Sequence, residues 1–176
     1  MELGCGVGRD GIFFAQQGHH VLATDASDVV IEQDQERFSD SSVSFEVMDM
    51  REPFPYPAES FDVVYANLSL HYYTHEETRR IVERVAEVLK LGGVFAFSCK
   101  SVDNTVLGNG EEVEKDVFVS ETGHARHLFS EPYTRLLLNG LFQIDYLHIG
   151  DEDYNGTESN ILQCVATKPF EKQGGL

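Results

Sequence analysis

Three glycines at alternate positions, Gly4, Gly6 and Gly8, stand near the start of the chain, directly after the acidic residue Glu2. Glycine is needed where a chain turns sharply from a strand into a helix, because it adopts positive φ and lets other groups approach the backbone closely. The free N–H groups at the start of such a helix face any ligand that binds at the end of the strand. The segment therefore predicts a ligand-binding loop between a first strand and a first helix.

Two aspartates, Asp25 and Asp49, each follow an apolar run of strand length. A carboxylate at a strand end has two acceptor oxygens and can hold the paired hydroxyls of a ribose. Asp25 follows Gly6 at the spacing of about 20 residues that dinucleotide-binding folds use, and Gly6–Gly11 fits their GxGxxG pattern. These residues therefore also fit a site for a nicotinamide cofactor. They fit as well the simpler alternative that each aspartate only caps the next helix or turn.

The elements that must position these residues alternate between strand-like apolar runs and helical patterns. The predicted strands are 20–24, 43–47, 61–66 and 94–99, followed by 142–149 and 161–167 with the polar segment 150–159 between them. Such alternation is typical of a mostly parallel sheet covered by helices, and the last two strands predict a C-terminal antiparallel hairpin. We therefore expect an α/β fold, a Rossmann-like doubly wound sheet whose first strand, Met1–Leu3, is truncated to a stub.

Two helices carry recognisable boundary signals. Thr74-His75-Glu76-Glu77 fits a capping box. We expect the helix that it begins to have Lys90 in its last turn and to stop at Gly92–Gly93. A second helix is predicted between Ser130 and Gly140, with a proline in its first turn.

The segment 100–129 has little periodicity and is far longer than the usual loop of about 4–6 residues. It includes His124, Arg126 and His127, which are titratable or cationic side chains in an acidic protein. We expect this segment to form a lid over the substrate, with disorder as the alternative.

The composition limits the class of protein. The chain has 176 residues, of which 41% are hydrophobic, so we expect one domain over residues 1–168 and a flexible tail over 169–176. Thirteen basic against 30 acidic residues give a net charge of -17, which argues against nucleic acid or a membrane surface as partner. The cysteines stand far apart, and no signal peptide or bilayer-spanning apolar run is found, so we expect a cytoplasmic location.

Together these motifs resemble those of class I S-adenosylmethionine-dependent methyltransferases. The resemblance rests on segments in the order that the family has them: E-x-G-x-G-x-G at 2–8, Thr24–Ser27, Val47–Met50, Phe61–Asn67 and Leu89–Val94. The opening, Gly4–Asp10, is most similar to small bacterial enzymes of the tellurite-resistance and general small-molecule types. The resemblance implies transfer of a methyl group from S-adenosylmethionine to a small-molecule acceptor by direct in-line displacement.

The resemblance also implies a cofactor site. Its residues would be Glu2, Gly4, Cys5, Gly6, Gly8, Asp25, Ala26, Asp49, Met50, Asn67 and Leu68. Asp25 would accept the ribose hydroxyls, and Asp49 would accept the adenine amino group. Glu2 would help to orient the ammonium group of the methionine part, and Asn67 would lie near the transferred methyl group.

The expected substrate contacts are His71, Tyr72, His124, Arg126 and His127. The first two follow the fourth strand, at the sheet edge where open α/β folds bind ligands. The cationic residues favour an anionic or polar acceptor. The alternatives are that His71 only packs under the next helix and that the cationic residues only form ion pairs with nearby acidic residues. Because methyl transfer mainly requires alignment, we assign no catalytic residue. We also expect no metal, because the spaced histidines lack further ligands.

The first strand is shorter than in the family, and the helix that usually precedes it has no counterpart here. We therefore expect an N-terminally truncated form with weakened cofactor binding, or a homodimer in which a second copy supplies the cover. Two other functions stay open at this point. One is an NAD(P)-binding oxidoreductase, and the other is a catalytically silent methyltransferase-like binding module.

Overall fold

The fold is organised around a seven-stranded sheet, seen in a computed structural model that describes residues 1–104, 110–154 and 157–170. The strands of this sheet are β1 (Glu2–Leu3), β2 (Val21–Asp25), β3 (Val43–Val47), β4 (Phe61–Asn67), β5 (Leu89–Lys100), β9 (Gln143–Tyr154) and β10 (Thr157–Thr167). A separate three-stranded sheet contains β6 (Glu111–Glu114), β7 (Val117–Val119) and β8 (Ala125–His127). The helices are α1 (Arg9–Gln16), α2 (Asp28–Arg37), α3 (His75–Val88) and α4 (Glu131–Leu138), with a 3-10 helix at Leu70–Tyr72.

The strand order in the large sheet is β3-β2-β1-β4-β5-β10-β9. Strands β1 to β5 run parallel, whereas β10 is antiparallel to both β5 and β9. The predicted doubly wound sheet with a C-terminal antiparallel hairpin is therefore confirmed. The order reverses between β1 and β4, and ligands of open α/β sheets bind at such a switch point, beyond the carboxyl ends of the strands.

Strand β1 has only two residues, as predicted, but it is paired on both sides. Glu2 lies opposite Ala23 of β2 and Tyr65 of β4. Leu3 is completely buried in the larger core, between the sheet and the helices α3 and α4. Glu2 points to the other face of the sheet, where its partner Ala23 belongs to the smaller core under α1 and α2. Because neighbouring residues of a strand point to opposite faces, this short strand contributes to both layers of the fold.

Helix α3 starts with the predicted capping box, in which the Thr74 hydroxyl accepts the Glu77 N–H and the Glu77 carboxylate accepts the Thr74 N–H. Its predicted end was wrong. The helix stops at Val88, and Leu89 enters β5 directly, opposite Phe61. The completely buried Leu89 side chain fixes this early entry. Gly92, with φ 75°, lies within the strand at a pairing irregularity and does not end the helix.

The C-terminal hairpin is longer than predicted. The polar segment 150–159 lies mostly in the two strands, and Asp151 is paired with Asn160, whose amide nitrogen donates to the Asp151 carboxylate at 2.9 Å. Exposed side chains such as Glu152 show that this part projects into solvent. Backbone pairing there needs no apolar pattern and therefore leaves no signal in the residue types. The predicted helix after Ser130 and its end before Gly140 are confirmed.

The segment 100–129 contains strands β6, β7 and β8, which the sequence reasoning missed because strands of three or four residues are too short to show a period. Its two ends are held together by two hydrogen bonds, from the Phe129 N–H to the carbonyl of Lys100, the last residue of β5, at 2.8 Å and from the Val102 N–H to the Phe129 carbonyl at 3.1 Å. Its role as a lid stays a prediction, and its residues 105–109 lie outside the described residues, as do 171–176 of the predicted tail. In the part of the chain that is described, no helix has the length and apolar character needed to cross a bilayer.

The larger core predicts a sharp contrast between two leucine-sized side chains. Ile81 is completely buried on α3, and Leu136 on α4 is 73% exposed. We expect Ile81→Ala to lower the free energy of unfolding by about 2–5 kcal/mol, and Leu136→Ala to change it by less than about 0.5 kcal/mol. Urea unfolding of both variants measures this, and similar losses for the two would contradict the assignment of the core.

Candidate functional site

The loop between β1 and α1 is closely packed at one end and open at the other. Gly4 and Gly6 have positive φ, 70° and 53°, and the Gly4 N–H donates to the carbonyl of Thr24 at 2.8 Å. A Cβ added to Gly4 would lie 2.6 Å from the Cβ of Ser69, whereas one added to Gly6 would meet nothing within 4 Å. Glycine is therefore required at position 4 for close approach, and the open space beside Gly6 can admit a ligand.

The carboxylate of Asp25 is held against this loop. Its Oδ2 accepts the N–H of Gly6 at 3.0 Å, and its Oδ1 accepts the N–H of Ser27 at 3.0 Å. Ser27 itself caps α2, because its hydroxyl accepts the N–H of Val30. Each carboxylate oxygen retains acceptor capacity, and Asp25 is partly exposed beside the exposed Ala26. The side chain is thus fixed in place and can still accept hydroxyl groups from a ligand.

Asp49 stands at the end of β3 in a different environment. Arg51 donates to it from Nε at 3.0 Å and from Nη2 at 2.6 Å, a contact that the sequence reasoning missed. These hydrogen bonds hold the pKa of Asp49 below its ordinary value. Met50 next to it is buried. The prediction that Asp49 accepts an adenine amino group therefore requires the carboxylate to share its acceptor sites with Arg51.

A polar network joins the first helix to the fourth and fifth strands. The Asn67 side-chain amide donates to the Asp10 carboxylate at 2.9 Å, and the Ser98 hydroxyl donates to the Asn67 side-chain oxygen. Leu68, the next residue, has φ 52°, and its N–H donates to the carbonyl of Ser98 at 2.9 Å. Asn67 and Leu68 are therefore held at the switch point, and their predicted contact with the cofactor stays a prediction. Asp10 and Ser98 were not predicted, and their side-chain contacts with Asn67 in the folded chain add them to this network.

Glu2 lies beneath the first turn of α1, 97% buried and close to Gly11. Burial raises the pKa of its carboxyl to about 8, with a further contribution from the charge of Asp10, and the N–H of Gly11 partly offsets this. In the described residues, its Oε2 has no hydrogen-bond partner. Its predicted contact with an ammonium group stays a prediction.

Three of the predicted substrate residues come together beyond β4. His71 is 98% buried, and its ring lies 4.4 Å from the ring of Tyr72. The guanidinium of Arg126 lies over the ring of Tyr72, 4.3 Å from the ring centroid, in a cation–π contact. Burial, followed by the charges of Arg126 and Lys100, lowers the pKa of His71 to about 3. The imidazole is therefore neutral at pH 7.

The other two predicted substrate residues lie elsewhere. His127 is buried and stacks on His75 with ring centroids 4.5 Å apart, and its Nδ1 lies 3.2 Å from the carbonyl of Tyr73. It therefore connects β8 to the start of α3. His124 is exposed in the turn between β7 and β8, where its N–H donates to the hydroxyl of Ser120. Within residues 1–104, 110–154 and 157–170, no cluster of three or more His, Cys, Asp and Glu side chains is arranged to hold a metal ion.

Known proteins resemble this chain over most of its length. A family model described as a methyltransferase domain matches residues 1–93. An uncharacterized methyltransferase of Synechocystis sp. is 30% identical over 96% of this chain and 76% of its own length. A phosphoethanolamine N-methyltransferase of Triticum aestivum is 27% identical over 98% of this chain and 31% of its own length. The chain therefore spans about a third of the length of the wheat relative.

Solved structures give the same comparison at the level of the fold. A methyltransferase of Methanosarcina mazei, described as SAM-dependent, superposes with a TM-score of 0.84 and 22% identity, over 97% of this chain and 92% of that one. A 1,6-didemethyltoxoflavin-N1-methyltransferase of Burkholderia thailandensis, solved with that compound and S-adenosylhomocysteine, gives a TM-score of 0.74 at 22% identity. It is covered over 69% of its length, and this chain over 96%.

The closely packed end of the loop predicts the effect of a single added methyl group. Gly4 and Gly18 both have positive φ, 70° and 92°, but a Cβ at Gly18 would meet nothing within 4 Å. Both alanine variants bear the backbone strain of about 1–2 kcal/mol. Only Gly4→Ala adds the collision with Ser69, so we expect it to lower the free energy of unfolding by a further ~1–3 kcal/mol. Equal losses in urea unfolding would contradict this packing.

The buried carboxyl of Glu2 predicts a pH dependence of stability. Its pKa is raised from 4.5 to about 8 on folding, so the folded state binds the proton more tightly. The unfolded chain releases this proton first as pH rises, and the contribution of Glu2 to stability is therefore lost between about pH 4.5 and pH 8. Glu2→Gln removes this titration. We expect the free energy of unfolding of the variant, relative to that of wild type, to increase by about 1 kcal/mol or more between pH 5 and pH 8. Urea unfolding measures this difference, and a difference that does not change with pH would contradict the prediction.

Proposed function

This chain belongs to the methyltransferase domain family with S-adenosylmethionine as its cofactor, and we propose that it transfers the methyl group to a small-molecule acceptor bound beside His71 and Tyr72. The relatives and solved structures described above are methyltransferases, so neither an oxidoreductase nor a silent module is favoured. The geometry that carries the proposal is the open space beside Gly6 with the Asp25 carboxylate fixed next to it.

The residues around this space fit the parts of the cofactor. The Asp25 carboxylate can accept two neighbouring ribose hydroxyls, and the backbone near Gly4 and Gly6 can approach an amino-acid group closely. Asn67 and Leu68 stand at the switch point, between the loop and the 3-10 helix that carries His71. The proposal therefore directs the methyl group towards the cluster of His71, Tyr72 and Arg126.

S-adenosylmethionine, when bound, supplies an electrophilic methyl carbon on a sulfonium that leaves as a neutral thioether. The chain then needs to align the acceptor and keep water away from it, which is catalysis by proximity. His71 is neutral and buried, and in the described part of the chain its Nδ1 has no hydrogen-bond partner. Because its pKa is lowered to about 3, the imidazole is a weak base, and we propose for it a hydrogen bond to the acceptor and not the removal of a proton.

We also propose a location and a partner for the protein. A net charge of -17 disfavours contact with phosphate backbones and anionic lipid, and we place the protein in the cytoplasm with a small molecule as its partner. Phosphoethanolamine, named for the wheat relative, is one acceptor to test here. Residues 1–168 form the catalytic domain in this proposal, with 100–129 as its lid, and a homodimer is compatible with it.

A thermal-shift panel tests the cofactor assignment. Ligands that bind only the folded state raise its melting temperature, so S-adenosylmethionine and S-adenosylhomocysteine are expected to raise it and NAD is not.

Asp25→Asn retains the shape of the side chain but loses its charge, and we expect about tenfold weaker S-adenosylhomocysteine binding in calorimetry. The control is Asp28→Asn in the exposed first turn of α2, which is expected to bind as wild type does. Stabilisation by NAD alone, or equal affinity for the two variants, would argue against the proposal.

A further inference from the structure

Two cationic side chains stand near His71 without an acidic partner. The protein has 30 acidic and only 13 basic residues, and in the described part of the chain five basic side chains form ion pairs with carboxylates: Arg51, Arg79, Arg80, Lys90 and Arg135. Within the described ranges, Arg126 and Lys100 form no ion pair with a carboxylate. Arg126 contacts the Tyr72 ring and the carbonyl of Ala125, and the Lys100 ammonium donates to the hydroxyl of Ser159.

The backbone places Lys100 next to the site. Side chains alternate along a strand, so Lys100 of β5 lies on the same face as Ser98, the residue that bonds to Asn67. The Lys100 carbonyl accepts the N–H of Phe129, shortly after β8, the strand that carries Arg126. The two cations therefore approach the site from adjoining segments. Arg126 was predicted from the sequence and Lys100 was not, because the pairing of Lys100 with Phe129 has no local signal.

The electrostatics of these groups agree with their placement. Burial and the charge of Arg126 lower the pKa of Lys100, and both cations lower the pKa of His71. No carboxylate contributes to either shift. An anion bound by the two cations would relieve this repulsion.

The ring of His71, which lies beside Tyr72 in the same cluster, has a buried polar atom without a hydrogen-bond partner among the described residues. His71 is 98% buried, and its Nδ1 lacks a hydrogen-bond partner among the described residues. Buried polar atoms are normally paired, so an unpaired one at a site indicates a missing partner. Guanidinium and ammonium groups are the donors that phosphate and carboxylate oxygens prefer.

We propose that Arg126 and Lys100 bind an anionic group, a phosphate monoester or a carboxylate, of the methyl acceptor, which places its nucleophilic end near His71. This inference rests on the proposed function and narrows its substrate class. The anionic group serves as an anchor, and the specificity of the enzyme then comes from the charge of its acceptor.

The test uses calorimetry on the full chain saturated with S-adenosylhomocysteine and three small amines. Phosphoethanolamine carries a phosphate, glycine carries a carboxylate, and ethanolamine carries neither. We expect at least one anionic amine to bind about tenfold or more tightly than ethanolamine. Comparison of the two anionic amines identifies which anion the site takes.

Matched variants assign this preference to the two cations. Lys100→Gln and Arg126→Gln are each expected to weaken binding of the preferred amine about tenfold or more and to leave S-adenosylhomocysteine affinity unchanged. Lys100→Arg and Arg126→Lys retain the charge and are expected to restore most of the affinity, which excludes a mere loss of folding. Arg79→Gln, on the exposed face of α3, is the control and is expected to bind as wild type does.

Equal binding of all three amines, no binding of either anionic amine, or a preference that survives both glutamine variants would overturn the inference. The proposed function fails separately, if S-adenosylhomocysteine does not bind. In that case the preference for anionic amines is still measured on the chain without this ligand.

Discussion

The hydrogen bond from the Gly6 N–H to the Asp25 carboxylate is the contact on which the rest of the site depends. It fixes the end of β2 to the loop between β1 and α1, and thereby sets the shape of the space at the switch point. This arrangement is possible because β1, only two residues long, is paired on both sides and because the chain turns away from it through glycines of positive φ. A ligand placed there meets a fixed carboxylate on one side and the uncrowded backbone at Gly6 on the other.

Much of the fold follows from local sequence signals. Apolar runs at β2, β3 and β4 and the capping box at Thr74 predicted these elements and their alternation. The misplaced end of α3 shows the limit of such signals, because burial of Leu89 in the larger core, as the first residue of β5, outweighed the glycines that follow it. The short strands of the second sheet and the extension of the last hairpin depend on backbone pairing between polar segments, which leaves no pattern in the sequence.

The site was predictable where the chain order itself brings residues to one edge of the sheet. Asp25 and Asn67 end strands that are neighbours of β1, and parallel strands present their carboxyl ends together. Asp10, Ser98 and Lys100 were not predictable, because each joins the site through a contact between segments distant in sequence. These three residues contribute hydrogen bonds or charge to the site, and they can do so only because the fold places them there.

The charge distribution of the molecule gives the two halves of the site different chemistry. The half that we propose to bind the cofactor offers carboxylates such as Asp25 for hydroxyl groups, whereas the half that we propose to bind the acceptor has cations around a neutral histidine. A crystal structure of the complex with S-adenosylhomocysteine tests this account most directly. The account predicts both ribose hydroxyls on the Asp25 carboxylate and the amino-acid part beside Gly4 and Gly6. A ligand bound elsewhere, or the Asp25 carboxylate turned away from it, would contradict the account.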